Sequence, residues 1–214
     1  MEALLSVVIA LGVILVSMVL HELAHGFVAY KLGDDTAKVD GRLTLNPLKH
    51  LDPILSIAMP LLLLLTGGPV FGGAKPVPVD SRKLKHGPWG MALVAIAGPL
   101  TNILLAFLGF LIGHFTEAFT LAGISTLWGQ VMSSFVMINL GFGIFNLIPI
   151  PPLDGSRVLY AIAPDPVRGV FEKIEPFGMM IVLILVVAGG GLLSGVMGWG
   201  IDRLLDGFYW VVGA

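Results

Sequence analysis

The sequence predicts an all-α polytopic membrane protein with about four transmembrane helices, a short re-entrant segment and a small membrane-associated β-hairpin or strand. Hydrophobic residues make up 56% of the 214 residues and charged residues only 12%, whereas soluble proteins carry about 25% charged residues. A soluble protein of this size needs more polar surface to cover its core, so most of the surface is expected to face lipid. Residues 1–214 are expected to form a single transmembrane domain.

Four apolar stretches are long enough to cross a bilayer, and the helix of the first is expected to continue to residue 32. They are residues 3–20, 91–113, 121–148 and 178–200. A fifth stretch, residues 53–65, has only thirteen residues and contains a proline. If it dips into the membrane and returns, eleven of the 12 Lys and Arg residues lie on one side, which the positive-inside rule makes cytoplasmic. We therefore expect four spans with both termini outside.

Two segments are predicted to be extended. Residues 38–45 alternate between an apolar face and a polar face, which is the period of a strand. The apolar face has Val39, Gly41, Leu43 and Leu45, and the polar face has Lys38, Asp40, Arg42 and Thr44. Residues 70–79 are rich in glycine and proline, and proline cannot donate to an inner ladder, so this segment is expected to be an edge or a loop.

Charge and cysteine content exclude several classes of protein. A formal net charge of −2 provides no basic surface for nucleic acid. The chain has no cysteine, so it has no disulfide, no thiolate nucleophile and no cysteine metal site. Any metal must therefore be bound by His, Asp or Glu.

The first apolar helix carries the run His-Glu-Leu-Ala-His at residues 21–25. Residues i and i+4 share one face of a helix, so His21 and His25 can bind a single Zn²⁺ with Glu22 beside them as general base. Two imidazoles and a carboxylate deep in an apolar helix are costly unless they are paired or bind a metal. The location therefore favours a metal site over a helix with incidental histidines.

Two histidines leave a tetrahedral zinc site at least one protein ligand short. Asp154 is the best candidate, because it follows three prolines that end the stretch 121–148 and precedes Gly155, which permits a tight turn. Broken backbone at membrane depth is tolerated only where it is buried in protein or lines a cavity. An aspartate that caps a helix or turn at the membrane surface is the alternative. The remaining histidines, His50, His86 and His114, lie in loops or at span ends.

At these motifs the sequence resembles the site-2 proteases, a family of intramembrane zinc metalloproteases. The matching runs are His-Glu-Leu-Ala-His at 21–25, Gly-Pro-Leu-Thr-Asn at 98–102, Asn-Leu-Ile-Pro at 146–149 and Leu-Asp-Gly at 153–155. The chain is similar to the compact prokaryotic branch, which has no inserted PDZ or CBS domain. One departure is Gly73, where close relatives are expected to have an aromatic residue; it bears on the loop and not on the metal.

The resemblance implies one Zn²⁺ per chain, bound by His21, His25 and Asp154, with Glu22 as base and a polar role near the reacting carbonyl for Asn146. It implies an endopeptidase that hydrolyses peptide bonds in or near transmembrane segments of membrane proteins. The expected partners are a transmembrane protein substrate and the bilayer. The expected location is the prokaryotic cell membrane, with the active site toward the cytoplasmic side.

Several roles stay open at this level. Asn146 either donates to the developing oxyanion or supports the broken helix. The strand at 38–45 either receives an unwound substrate by strand addition or is an ordinary hairpin on the membrane. A transport or ion-binding protein, or a proteolytically inactive zinc-binding relative, would also have broken helices and a buried carboxylate, although neither explains Glu22.

Weaker signals concern single side chains and glycine pairs. Asn102 is expected to hydrogen-bond a neighbouring helix, with a secondary role at the site. His50 and Asp52 cap the short segment that follows them or gate water, and capping is the simpler reading. Two Gly-x-x-x-Gly pairs, at 109–113 and 191–195, are compatible with a homo-oligomer, although close packing within one chain is the default explanation.

Overall fold

The computed structural model describes residues 2–58 and 73–213, and within these ranges every regular element is a helix. The α-helices are α1 (Glu2–Lys31), α2 (Thr36–Val39), α3 (Pro88–Phe115), α4 (Leu127–Leu147), α5 (Asp154–Ile162), α6 (Asp165–Ile174), α7 (Gly178–Ala188) and α8 (Gly190–Val212). Short 3₁₀ turns lie at Pro47–Lys49 and Glu175–Phe177, and a π-helix at Pro53–Ala58.

The helices α1, α3 and α4 are long and apolar enough to cross a membrane, which confirms the prediction of a helical membrane protein. The predicted last span, residues 178–200, is not one straight helix. Residues 165–188 and 190–212 meet at an angle of 90°, so the described residues provide three spans, or four if this bent pair crosses as one. The bend falls at three consecutive glycines, 189–191, which are poor helix formers.

Helix boundaries follow from local chemistry. The helix α3 begins at Pro88, whose missing N–H costs nothing in the first turn. At the start of α4, the Thr126 hydroxyl accepts a hydrogen bond from the backbone N–H of Gly129 at 3.1 Å. The same helix ends one residue before Ile148, because a residue that precedes proline disfavours the helical conformation.

The helix α3 lies at the centre of the molecule and packs against α1, α4 and α5. One buried apolar cluster joins α3, α4 and α8; its members are Ala106, Phe110, Val136, Leu140 and Phe208. Gly109 permits close packing inside the chain, because a Cβ there would lie 2.6 Å from Phe135 Cδ1. This contact agrees with the expected close packing within one chain, so Gly109 gives no support to the alternative of a homo-oligomer.

The predicted strand at 38–45 is wrong. Its first residues belong to α2, and the residues that follow form turns, with Gly41 at a φ of +62° that interrupts any extended run. The predicted apolar face is not buried, since Val39 and Leu45 are 75% and 65% exposed, whereas Arg42 on the predicted solvent face is 7% exposed. No described residue lies in a strand, so the β-hairpin is not supported.

The segment that follows the predicted re-entrant stretch is irregular, as its prolines predicted. We call residues 73–80 the strap; they have no regular secondary structure. Of the predicted re-entrant stretch, residues 53–58 form the π-helix, and the Asp52 carboxylate accepts a hydrogen bond from the Ile54 N–H at 2.8 Å. Residues 59–65 lie outside the described ranges.

Candidate metal centre

The two histidines of α1 lie on one face of the helix and are buried. Their spacing of four residues brings the Nε2 atoms of His21 and His25 to 3.0 Å from each other. Both lie roughly 9–15 Å from the C-terminal end of the helix at Lys31. If the Lys31 end of α1 lies at the membrane surface, a site at that distance is inside the hydrocarbon core of the bilayer, which is about 30 Å thick.

Asp154 reaches the two histidines from a different helix, α5. It begins α5, directly after the proline-rich break that follows α4. Gly155 brings this helix against the end of α4, where a Cβ would lie 2.8 Å from Ile148 O and still closer to Leu147 O. Because only hydrogen fits there, the glycine sets how far the aspartate can reach into the bundle.

The three side chains form a nearly equilateral triangle of ligand atoms. Asp154 Oδ2 lies 3.3 Å from His21 Nε2 and 3.4 Å from His25 Nε2. Zinc bonds of about 2.0–2.1 Å at tetrahedral angles would separate the ligand atoms by about 3.3 Å. Within the described residues, this is the group of His, Asp and Glu side chains that could hold a metal ion.

Both imidazoles are held by their other ring nitrogen. His25 Nδ1 lies 2.7 Å from the backbone oxygen of Val94 on α3, and His21 Nδ1 lies 2.6 Å from Asn102 Oδ1 on the same helix. A carbonyl oxygen only accepts, so His25 Nδ1 carries a proton, and in the neutral imidazole Nε2 then keeps its lone pair. A hydrogen bond to the ring nitrogen that faces away from the metal fixes the tautomer and the ring orientation of a metal-binding histidine.

The donor set fits a cation. With both Nδ1 atoms protonated, neutral imidazoles present two Nε2 lone pairs to a carboxylate oxygen, so three acceptors face one another. Asp154 Oδ2 is buried and has no hydrogen-bond partner among the described residues. Buried polar atoms of this kind need a partner, and a divalent metal with two nitrogen ligands and one oxygen ligand supplies it.

Gly98 of α3 forms the wall behind the two imidazoles. A Cβ at this position would lie 2.6 Å from both His21 Cε1 and His25 Cε1, and closer still to His25 Nε2. The helix α3 can approach the metal-binding face of α1 only because residue 98 has no side chain.

Glu22 is partly buried and lies between the two histidines in sequence. Its Oε2 atom accepts a hydrogen bond from the backbone N–H of Val77 in the strap at 2.8 Å. Gly26 lets the strap lie against α1, since a Cβ there would be 3.0 Å from Val77 Cγ1 and 2.6 Å from Leu43 Cδ2. The strap therefore covers the side of α1 that carries the carboxylate.

Two side chains and one backbone carbonyl outside the spans anchor the strap. Arg42 Nη2 donates to Lys75 O at 2.7 Å, and the Lys75 N–H donates to the backbone oxygen of His50 at 2.9 Å. The buried Asp34 carboxylate accepts from the Asp80 N–H at 2.7 Å. Hydrogen bonds from the Arg82 guanidinium lower the pKa of Asp80 to about 2, so this carboxylate stays charged in more acidic solution than an ordinary aspartate does.

The other residues singled out in the sequence lie elsewhere. Asn146 is near the end of α4, and its Nδ2 donates to Phe142 O at 3.0 Å, one turn earlier on the same helix. His50 is buried beneath the strap, with Nε2 2.9 Å from Thr44 O. His114 stacks on a phenylalanine at 5.9 Å, and His86 has a φ of +71° in a loop.

Two groups at the site were missed by sequence reasoning. One is the Val77 N–H, because a backbone donor gives no signal in a sequence. The other is Asn139, which is fully buried on α4 and accepts a hydrogen bond from Asn102 at 2.9 Å. The available signal was an asparagine in the middle of an apolar stretch, since buried polar side chains in membrane helices need a partner.

A metal-ligand triangle among apolar helices, beside a Glu22 carboxylate that is not one of the three ligands, defines the class as a membrane-embedded metallohydrolase. Comparison with known proteins gives the family. Residues 121–189 match the model of peptidase family M50. The chain is 43% identical over 200 residues to the Bacillus subtilis protein named "Putative zinc metalloprotease YwhC", covering 91% of this chain and 88% of that protein.

Two further relatives are more distant. The Mycobacterium tuberculosis protein named "Putative zinc metalloprotease Rip2" is 32% identical over 195 residues, covering 88% of this chain and 71% of that protein. The zinc metalloprotease MJ0392 of Methanocaldococcus jannaschii is 29% identical over 147 residues, covering 69% of this chain and 32% of that protein. No solved structure matches the chain.

The chain belongs to peptidase family M50, the site-2 proteases. It is a multi-pass membrane metalloprotease, and its metal is zinc. A transport function is not favoured, because the relatives of this chain are named as metalloproteases.

Proposed function

We propose that His21, His25 and Asp154 bind the catalytic zinc and that Glu22 is the general base of an endopeptidase that cuts in or near transmembrane segments. The observation that carries the proposal is the triangle of ligand atoms, with sides of 3.0, 3.3 and 3.4 Å, which matches the spacing required by tetrahedral zinc. Residues 1–214 act as one domain in this proposal.

Zinc and Glu22 have different roles in the proposed reaction. Zinc, when bound, supplies a Lewis acid that polarises the scissile carbonyl and lowers the pKa of the attacking water. The Glu22 carboxylate takes the proton of that water and passes it to the leaving amine nitrogen. One of its oxygens is held by the Val77 N–H, which leaves the other for proton transfer.

Asn146 is the proposed donor to the developing oxyanion. One N–H of its amide is used by Phe142 O, and the second N–H is the one that the role requires. The alternative is support of the helix end before the proline-rich break. Asn146→Ala and Asn146→Asp distinguish these roles. Loss of an oxyanion donor lowers kcat by about 100- to 1000-fold and leaves zinc content and melting temperature unchanged. Loss of support for the helix end lowers the melting temperature.

The depth of the site supports a transmembrane substrate. A helical substrate hides its carbonyls in i→i−4 hydrogen bonds, so it must unwind before attack. Since the site lies roughly 9–15 Å from the lysine-bearing end of α1, we propose that the cleaved bond lies in the cytoplasmic half of the bilayer. In the proposed topology, eleven of the 12 Lys and Arg residues lie on the cytoplasmic side. The proposed location is the cell membrane.

The test compares purified wild type with Glu22→Gln in detergent or liposomes. Glu22→Gln removes the base and leaves the ligands, so we expect one zinc per chain and no cleavage of a model transmembrane substrate. His21→Ala, His25→Ala and Asp154→Ala should each lower zinc content. A strong chelator should stop cleavage by wild type, and added zinc should restore it.

Two results would contradict the proposal. Full zinc affinity in Asp154→Ala would mean that the third ligand is elsewhere. Cleavage at the wild-type rate by zinc-loaded Glu22→Gln would remove Glu22 from the reaction.

A further inference from the structure

A chain of buried side-chain amides connects α4 to His21 across α3. Asn102 Oδ1 lies 2.6 Å from His21 Nδ1, and Asn102 Nδ2 donates to Asn139 Oδ1 at 2.9 Å. Asn139 Nδ2 in turn donates to the backbone oxygen of Phe135 at 2.9 Å. Both asparagines are completely inaccessible to solvent, so water cannot replace any of these partners.

The orientation of each amide follows from the hydrogen bond between Asn139 and the backbone oxygen of Phe135. The Phe135 oxygen can only accept, so the nitrogen of the Asn139 amide must face it and the Asn139 oxygen must face Asn102. Asn102 must therefore present its own nitrogen, whose second N–H points to the backbone oxygen of Ser17 at 3.5 Å. Its oxygen is then left facing His21.

The result at the metal centre is a fixed tautomer. An amide oxygen accepts only, so His21 Nδ1 must carry the proton and Nε2 keeps its lone pair toward His25 and Asp154. His25 reaches the same state directly through the Val94 oxygen. For His21 the nearest group is an amide, which would suit either tautomer if it were free to turn over.

We infer that Asn139 is a positioning residue that orients the Asn102 amide and thereby holds His21 as the tautomer that binds zinc. This inference rests on the proposed zinc ligands. It concerns a residue that touches neither the metal triangle nor Glu22, and its effect passes through two hydrogen bonds.

The direct test is zinc affinity measured by chelator competition on purified Asn139→Leu. Leucine has a similar volume but cannot accept from Asn102, so the Asn102 amide loses its 2.9 Å partner and keeps only the longer 3.5 Å contact to Ser17 O. Loss of an outer-shell partner of a metal-binding histidine weakens metal binding by about 10- to 100-fold, and we expect an effect of that size. Unchanged affinity in folded Asn139→Leu would overturn the inference.

The decisive variant is the double substitution Asn102→Asp with Asn139→Leu. A carboxylate at residue 102 has two accepting oxygens, so it accepts from His21 Nδ1–H in either orientation and needs no help from residue 139. We expect zinc affinity to return to within about threefold of wild type, in line with carboxylate–histidine–zinc arrangements. A double variant as weak as Asn139→Leu would show that residue 139 acts through packing, and would overturn the inference.

The matched packing control is Leu140→Ala, one residue further along α4. Leu140 is also completely buried, but it packs in the apolar cluster with Phe110 and Phe208, and its side chain has no hydrogen-bonding group. Leu140→Ala should lower the melting temperature and keep the wild-type zinc affinity. Equal losses of affinity in Leu140→Ala and Asn139→Leu would assign the effect to general destabilisation and overturn the inference.

A second measurement needs no substitution at residue 139. In metal-free wild type labelled with ¹⁵N-histidine, the nitrogen shifts report which ring nitrogen of His21 carries the proton, with His21→Gln identifying the signal. We expect the Nδ1–H tautomer, and an Nε2–H tautomer would overturn the inference even if Asn139→Leu fails to fold. If His21→Ala binds zinc as tightly as wild type, the proposed ligand set fails, while the tautomer measurement still shows whether the amides of Asn102 and Asn139 fix the proton of the His21 ring.

Discussion

Gly98 is the position where one methyl group should disturb the metal centre most directly. In Gly98→Ala the new Cβ would lie 2.6 Å from His21 Cε1 and His25 Cε1, whereas ordinary contact begins at 3.4 Å. The imidazoles or α3 must therefore retreat by about 0.8 Å, well beyond the roughly 0.2 Å within which metal–ligand distances vary. Pro99 and the packed neighbours of α3 restrict movement of the helix itself.

The expected loss follows from the cost of overpacking. An extra methyl group in a packed core costs about 1–3 kcal/mol. If this cost falls on the zinc-bound geometry, zinc binding weakens by about 5- to 150-fold. The assay is chelator competition on detergent-purified protein, together with the melting temperature with and without zinc. Because zinc stabilises the native state that binds it, the zinc-induced rise in melting temperature should shrink in parallel.

Two glycine controls separate the imidazole contact from packing in general. In Gly143→Ala the new Cβ would lie 2.9 Å from Ile103 Cγ1 and 3.2 Å from Pro99 O, so it should lower stability with little effect on zinc. In Gly12→Ala the Cβ would meet nothing within 4 Å, so both properties should hold. Wild-type zinc affinity in folded Gly98→Ala, or equal losses in Gly143→Ala, would refute the reasoning.

Three further outcomes are expected. Gly155→Ala should lower zinc affinity, because a Cβ there would overlap Leu147 O and push α5 away; full affinity in a folded variant would contradict this. Arg42→Ala removes the side-chain donor that holds the strap, so cleavage should fall while zinc content, measured by atomic absorption, is retained; unchanged cleavage would show that the strap does not depend on this anchor. Single cysteines introduced at Lys83 and Thr120 of this cysteine-free chain should react with impermeant reagents only from the cytoplasmic side and only from outside, respectively; external labelling at Lys83 would overturn the proposed topology.

The local features of the chain were predictable from its sequence. Composition identified a helical membrane protein, because an apolar surface of this extent is stable only in lipid. The spacing of His21 and His25 placed two imidazoles on one face, since helix geometry alone decides that contact. The prolines at 149, 151 and 152 correctly marked the end of α4 and the turn that precedes Asp154.

Two local sequence patterns predicted the wrong secondary structure. Alternation over residues 38–45 predicted a strand, yet Gly41 takes a left-handed conformation and Arg42 turns inward to the strap carbonyls. An alternating pattern of eight residues does not distinguish a strand from a series of turns, because burial of these side chains depends on contacts with residues elsewhere in the chain. The stretch 178–200 was apolar enough for a straight span, but hydropathy does not register the bend at the glycines.

The sequence by itself determined the class of protein, the metal-binding face of α1 and the residue types available as ligands, because these depend on composition and on contacts within one helical turn. Only the tertiary structure decided that Asp154 closes the triangle, that Gly98 makes room for it, that the Val77 N–H holds Glu22, and that Asn139 orients Asn102. Each of these contacts joins segments far apart in the chain. Which atom of an amide faces a histidine depends on donors and acceptors that come together only after the helices pack.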